Sequence, residues 1–385
     1  MRTPVDPLYR RTPSLRTIRT RRVTRFALAA TVLVSAGCEG PRSALDPAGS
    51  AATQIANLFY WMVGGAVLIW LVVIGLAVFA MWSKRSYHER TTRTLVIGGG
   101  VAFPTVVLAA LLSFSLPGIP ELTEPAPPGS TLIEVHGVRW WWRVIYREPK
   151  TERVQDVVAT SVPSAFDSPE AADAGLVEQE VAQEPARESA ALFELANEIW
   201  LPVGRPVEIR LASEDVIHSF WIPSLGGKMD MIPGRFTRLK LLPTRTGTFY
   251  GVCAEYCGEA HSQMAFVVRV VTQEEFDRWT LLQREPAREP GTQQLAAGRE
   301  LFFSQGCSAC HAIRGTSADG HVGPDLTHVG SRMTIGAGIA PVEVETLHRW
   351  VVSTDEMKQG VLMPNFPTLT DAQADSLARY LESLE

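Results

Sequence analysis

The chain has 385 residues, 46% hydrophobic and 20% charged, with mean hydropathy near zero; it is too long for one compact domain, too apolar to be disordered throughout and too charged for a polytopic membrane protein. The formal net charge of −5 hides an asymmetry, because residues 1–37 hold eight Arg against one Asp and the remainder is more acidic still, a balance that argues against nucleic acid as a partner. Five cysteines, an odd number, make a simple disulfide framework a poor starting point.

In chain order, the Arg-rich stretch Arg16 to Arg25, the apolar run Phe26 to Val34 and then Ser35-Ala36-Gly37 read as a signal peptide over 1–37. A cut before Cys38 would offer that residue as a lipid anchor of the bacterial lipoprotein kind. Ser35 stands where an aliphatic residue is usual, and an ordinary signal peptide, or an uncleaved anchor with an incidental thiol, fits the same residues. Residues 38–57 are then a short extracytoplasmic segment. Across 58–116 two uncharged apolar runs, Leu58 to Trp82 and Leu95 to Leu116, each exceed the roughly 30 Å hydrocarbon core at about 1.5 Å per residue. Between them lie Lys84, Arg85, Arg90 and Arg93 against Glu89 alone, which places the connection in the cytoplasm and everything after Leu116 outside. Gly98-Gly99-Gly100 and Pro104 in the second run suit close packing against other membrane helices, or simply within the hairpin.

Residues 117–280 open on a Pro- and Gly-rich linker and continue as short β-like runs, Thr131 to Val138, Trp142 to Tyr146, Glu208 to Leu211, Arg238 to Leu242, Thr246 to Val252 and Ala265 to Val271. Runs of this length set apart by Gly and Pro predict an all-β sandwich or barrel. An Ala-, Glu-, Pro- and Ser-rich acidic stretch at about 147–191 interrupts them and reads as a flexible insertion. A second Pro-rich linker, 281–291, precedes an all-α domain over 292–385, with helices expected at Gln293 to Ser304, Val342 to Ser353 and Asp371 to Leu384, the last capped by Thr370.

The strongest chemical signal is Cys253, Cys257, His261 and Met264, with His218 some thirty-five residues upstream. Two thiols, two imidazoles and a thioether form a soft donor set that suits copper and disfavours carboxylate-binding metals. The spacings of four, four and three also fit one face of an amphipathic helix, although Gly251 and Gly258 favour a loop, and a Cys253–Cys257 disulfide is a further alternative. If each sulfur bridges two ions, each ion takes one His and one weak axial ligand: Met264 for one, a backbone carbonyl such as that of Glu255 for the other. Shared thiolates spread one electron over both metals, which suits electron transfer and leaves no open position for substrate. The second signal is Cys307-Ser-Ala-Cys310-His311, in which two thiols can bond both vinyl groups of one haem while the adjacent His ligates iron.

With these residues in view, the chain resembles subunit II of a haem–copper cytochrome c oxidase, a multidomain membrane protein with a two-helix hairpin and a cupredoxin-like CuA domain, a Greek-key barrel or sandwich, here followed by a cytochrome c domain. The resemblance rests on the two spans with their basic loop, Gly137-Val-Arg-Trp140-Trp141-Trp142, Asn197 to Gly204, Asp215-Val-Ile-His218-Ser-Phe, Ile222 to Arg235 and the cysteine loop. It implies CuA ligands His218, Cys253, Glu255 through its carbonyl, Cys257, His261 and Met264, and a magnesium ion shared with subunit I through the Glu255 side chain. It also implies that Trp140 lies on the electron-input path to CuA; strand alternation would send Trp140 and Trp142 to one face and Trp141 to the other, and all three would serve equally as packing or interfacial residues. One departure concerns protons. Where many members carry a carboxylate in the second span, this chain has Ile97 to Pro104 without one, so proton delivery by that route is in doubt.

The order Cys307-x-x-Cys310-His311, Gly323-Pro324, then Met363-Pro364 resembles class I cytochrome c, which implies haem c with Met363 as second axial ligand, in preference to Met357 or Met333. The whole then implies electron flow from a cytochrome c or bc-type donor through haem c and CuA to subunit I, with subunit III as a further partner, in a bacterial inner membrane with both redox domains outside. The quinol-oxidizing relatives lack the copper ligands. A CuA-containing nitric oxide reductase subunit differs only in its partner chain, and a copper-delivery protein would need neither Met264 nor a covalent haem.

Overall fold

The computed structural model describes residues 39–83, 88–116, 118, 123–149 and 189–385. The signal peptide, Cys38, Lys84, Arg85 and nearly all of the acidic insertion lie outside the described residues. Two helical stretches are long and apolar enough to cross a bilayer: α1 (Ser50–Trp82), and a second built from α2 (Glu89–Ile97), a π-helical turn (Gly98–Ala102) and α3 (Phe103–Ser115). The wide turn falls on three consecutive glycines, weak helix formers, just before Pro104, which has no N–H to give back to that turn. α1 begins eight residues before the apolar run starts, because its first turns dock on the β-domain: Ala51, Ala52 and Ala56 are buried, and the amide of Ser50 donates to Leu242 O at 3.0 Å.

The β-domain is a two-sheet sandwich. One sheet has the order β3-β2-β1-β5-β8, from Ala191–Ala196, Trp141–Arg147, Thr131–Val138, Val207–Ser213 and Thr237–Leu241; the other has the order β4-β10-β9-β6-β7, from Glu198–Pro202, Ala265–Val271, Gly247–Cys253, His218–Trp221 and Met229–Met231. β1 runs parallel to β5 and β4 parallel to β10, while the remaining neighbours are antiparallel. The acidic stretch is inserted between the paired strands β2 and β3, with Glu148 N–H still donating to Ala190 O at 3.0 Å. Alternation along β2 sends Trp142, Val144 and Tyr146 into the core. Trp142 meets Phe266 and Phe220 edge-on at 5.1 and 5.8 Å between ring centres, and His218 at 6.2 Å, so the core's largest side chain backs one of the candidate ligands. Trp140 sits just before β2 in the preceding turn, and strand alternation therefore does not govern it.

A helix that the sequence reading did not identify, α4 (Gln273–Arg284), follows β10 directly. A reciprocal capping box between Thr272 and Glu275 starts it, and Phe276 and Trp279 pack it on the sandwich; the segment expected to be linker from 281 is thus helical to Arg284. Beyond it, α5 (Gln293–Ser304), α6 (Val344–Val352), α7 (Thr354–Met357) and α8 (Asp371–Glu382), with two short two-residue ladders, enclose a second core. Gly298 makes the α5–α8 crossing possible: a Cβ there would stand 2.1 Å from Ser376 O. Thr370 caps α8 as expected.

The two domains touch. The Arg143 guanidinium donates to His321 O at 2.7 Å, Ala265 N–H to Ala337 O at 3.1 Å and Met333 N–H to the Glu198 carboxylate at 2.9 Å.

Candidate metal centre

The end of β9, the loop after it and the start of β6 bring the soft donors together. Cys253 and Cys257 have their sulfurs 3.8 Å apart, well beyond the roughly 2.05 Å of a disulfide, and both are buried free thiols. His218 Nδ1 lies 3.8 Å from Cys253 Sγ, His261 Nδ1 3.5 Å from Cys257 Sγ, Met264 Sδ 3.8 Å from Cys257 Sγ, and the Glu255 carbonyl oxygen 3.1 Å from Cys253 Sγ. The segment is a loop closed by a 3₁₀ turn at His261–Gln263, which folds the spaced residues inward where a helix would have laid them in a line. Each Cys has its own His at one side, and the thioether and carbonyl fall on opposite sulfurs. This donor set fits a binuclear copper centre and carries no carboxylate donor.

Two supports hold the donors. Asp215 accepts a hydrogen bond from His218 Nε2–H at 2.9 Å, which fixes the tautomer and leaves Nδ1 as the free donor; the same carboxylate accepts from the Arg139 amide at 2.7 Å. The Trp140 indole N–H donates to Cys257 O at 2.9 Å, and its ring lies so close to Gly258 that a Cβ there would come within 2.9 Å. The Cys257 thiol beside Cys253 holds the latter at about 3, far below the ordinary thiol range, while the same contact and burial push Cys257 upward. A thiolate on one sulfur thus disfavours ionisation of the other, and a metal ion that binds both would displace protons from the pair.

In the second domain, Cys307 and Cys310 are half-buried free thiols on a short 3₁₀ turn behind α5. His311 Nδ1–H donates to Pro324 O at 2.7 Å, so Nε2 carries the lone pair, and burial lowers the ring's pKa and keeps it neutral. Gly323 lies flat against the imidazole, with room for no Cβ (2.5 Å from Cε1). A neutral, oriented imidazole next to two free thiols fits covalent haem. Met363 is half-buried against the same core. His328 is engaged structurally, with Nε2 bonded to Glu285 O at 3.0 Å.

Two stretches of the chain match known protein families. Residues 131–271 match the family model for cytochrome c oxidase subunit II, periplasmic domain, and residues 295–385 match the cytochrome c family model. The chain joins a subunit II periplasmic domain to a cytochrome c domain. Among curated relatives, cytochrome c oxidase subunit 2 of Alkalihalophilus pseudofirmus is 35% identical over 50% of this chain and 56% of its own length. The protein of the same name from Cereibacter sphaeroides is 27% identical over 64% of this chain and 81% of its own. A solved periplasmic domain of cytochrome oxidase subunit II from Bradyrhizobium japonicum aligns with 42% of this chain and 97% of its own, at 24% identity and a TM-score of 0.29. The chain therefore spans little more than half the length of the first of these relatives. The subunit II and cytochrome c families imply copper and haem c respectively.

The contacts of two residues escaped the reading of the sequence. Asp215 was legible in principle, as a carboxylate three residues before a lone ligand-type His. Lys358, buried between the domains, had no local signal.

Proposed function

We propose that this chain is the electron-transfer subunit of a membrane-bound cytochrome c oxidase, passing electrons from a cytochrome c donor to the oxygen-reducing site of subunit I. In this reading His218, Cys253, Cys257, His261, Met264 and the Glu255 carbonyl hold the binuclear copper, and Cys307, Cys310, His311 and Met363 hold haem c. Each group, when bound, takes up and gives back one electron without binding oxygen. The protein's part is to keep the donors fixed: Asp215 orients His218, Trp142 backs it, and the Trp140 indole braces the cysteine loop. The observation that carries the reading is the convergence of all the soft donors on the two sulfurs of one loop, in a domain docked on a second one with an attachment-ready CxxCH.

The hairpin α1 to α3 anchors the subunit in a bacterial inner membrane beside subunit I, with both redox domains outside. The Glu255 side chain is exposed at the loop, where a magnesium ion shared with subunit I would meet it. Trp140 supplies the input side of the copper centre. A lipid anchor at Cys38 and a contact with subunit III complete the proposal.

Purification of the complex from its native membrane tests it. Oxygen-dependent oxidation of reduced cytochrome c, with a near-infrared copper band and a c-type haem spectrum on this chain, is the expected result. Turnover on nitric oxide but not oxygen would move the chain to a nitric oxide reductase, and a chain purified intact without copper would overturn the reading.

A further inference from the structure

Lys358 follows α7 in the cytochrome c domain, in a stretch that is otherwise exposed: Gln359 and Gly360 face solvent, yet the Lys358 residue is 2% exposed. Its Nζ donates to three backbone carbonyls, Trp140 O at 2.6 Å, Gln263 O at 2.8 Å and Gly336 O at 2.9 Å. An ammonium has three N–H donors and no acceptor, so the three oxygens use it fully, and no carboxylate among the described residues forms an ion pair with it. The acceptors come from three separate places. Gly336 belongs to the lysine's own domain, whereas Trp140 and Gln263 belong to the subunit II domain, the one bracing the cysteine loop and the other lying between His261 and Met264.

The turn just beyond fits the same surface. A Cβ on Gly360 would stand 2.8 Å from the Trp140 ring, and Gly360 has a φ of +78°, so a side chain there meets both a steric and a backbone obstacle. The Trp140 indole is thus enclosed between Gly258 of the ligand loop and Gly360 of the cytochrome c domain. Elsewhere the interface holds single hydrogen bonds such as Ala265 to Ala337; among the described residues, only Lys358 ties the cytochrome c domain to both the indole turn and the ligand turn at once.

We propose that Lys358 is an interdomain clamp, a positioning residue that holds the cytochrome c domain on Trp140 and the cysteine loop and so fixes the distance between the two candidate centres. The inference rests on the subunit reading above. Without the ammonium, three buried carbonyls would be left without their donor, and the domain would stay attached only through the Arg284–Gly291 linker and the weaker contacts of the seam.

Two measurements on the intact, membrane-extracted complex test the clamp. In the first, an amine-acetylating reagent is applied to native and to urea-unfolded protein, followed by peptide mass spectrometry. Lys358 is expected to label at least tenfold less in the native complex, and equal labelling would overturn the proposal. In the second, the rate at which one electron moves from reduced haem iron to the oxidised copper pair after a reducing pulse is compared in wild type, Lys358→Met and Gly360→Leu. Both variants should slow that rate at least tenfold while the haem and copper spectra stay unchanged. Intact spectra with rates within twofold of wild type would overturn the clamp and leave the subunit reading standing, whereas a wild-type complex lacking either spectrum would remove that reading itself.

Discussion

In the subunit II domain the folded chain alone brings the candidate copper donors into a cluster, each sulfur within 3.8 Å of an imidazole nitrogen and of the other sulfur, backed by the Trp142–Phe220–Phe266 aromatic core. In the cytochrome c domain, Cys307, Cys310 and Met363 stay half-buried, and only His311 has its orientation fixed by the protein. The difference is one of building order. The sandwich carries its donors on strands and a loop packed on its core, whereas the helical domain, with a core around Phe302, Leu377 and Tyr380, holds Cys307, Cys310 and Met363 at its margin. We expect folding alone to set the copper donors, and attached haem to add to the stability of the helical domain.

Several variants would break or sharpen that contrast. The largest effect is expected from Cys307→Ser with Cys310→Ser, which blocks attachment: the cytochrome c domain should lose its cooperative unfolding transition in calorimetry, with the subunit II domain's transition in place. Asp215→Ala comes next. It frees the far nitrogen of His218 and should weaken copper binding about 10- to 100-fold, seen by competition with a copper chelator, with the circular dichroism of the sandwich preserved. Met363→Ala should shift the haem potential in a redox titration and leave the copper signal as it was; an unshifted potential and spectrum would exclude Met363 as axial ligand.

The smallest effect concerns pH. Burial raises the Glu134 pKa, but hydrogen bonds from His136 and Arg147 outweigh it and hold it at about 2. A carboxyl whose folded pKa lies below its unfolded one stabilises fully above the unfolded value and loses that contribution as pH falls. The sandwich should therefore lose stability between about pH 4.5 and 2. Glu134→Gln should cost about 1–3 kcal/mol at neutral pH, measured by urea unfolding, and flatten that acid limb.

How much of this was legible in the sequence follows from how local each signal is. The ligands announced themselves because copper chemistry needs rare residue types at short spacing, and β1, β9 and β10 because their apolar runs are self-contained. β6 and β7 were missed: His218–Trp221 and Met229–Met231 are too short to show a period, and they are strands only because β9 pairs with β6. α4 was missed because its polar exposed face hides the few residues, Phe276 and Trp279, that dock it. Trp140 and Trp142 are both buried and Trp141 is not, as alternation had it, although the strand begins only at Trp141. Lys358 reads as an ordinary surface lysine, since its three acceptors come from carbonyls as far as 218 positions away, and nothing in a linear pattern encodes such a pairing.

The central claim, two copper ions sharing the sulfurs of Cys253 and Cys257, is tested most directly by electron paramagnetic resonance of the oxidised purified complex, combined with copper quantification. The account predicts a hyperfine pattern from one unpaired electron spread equally over two copper nuclei, abolished by Cys257→Ser. A pattern from a single copper nucleus, or a signal that survives in that variant, would contradict it.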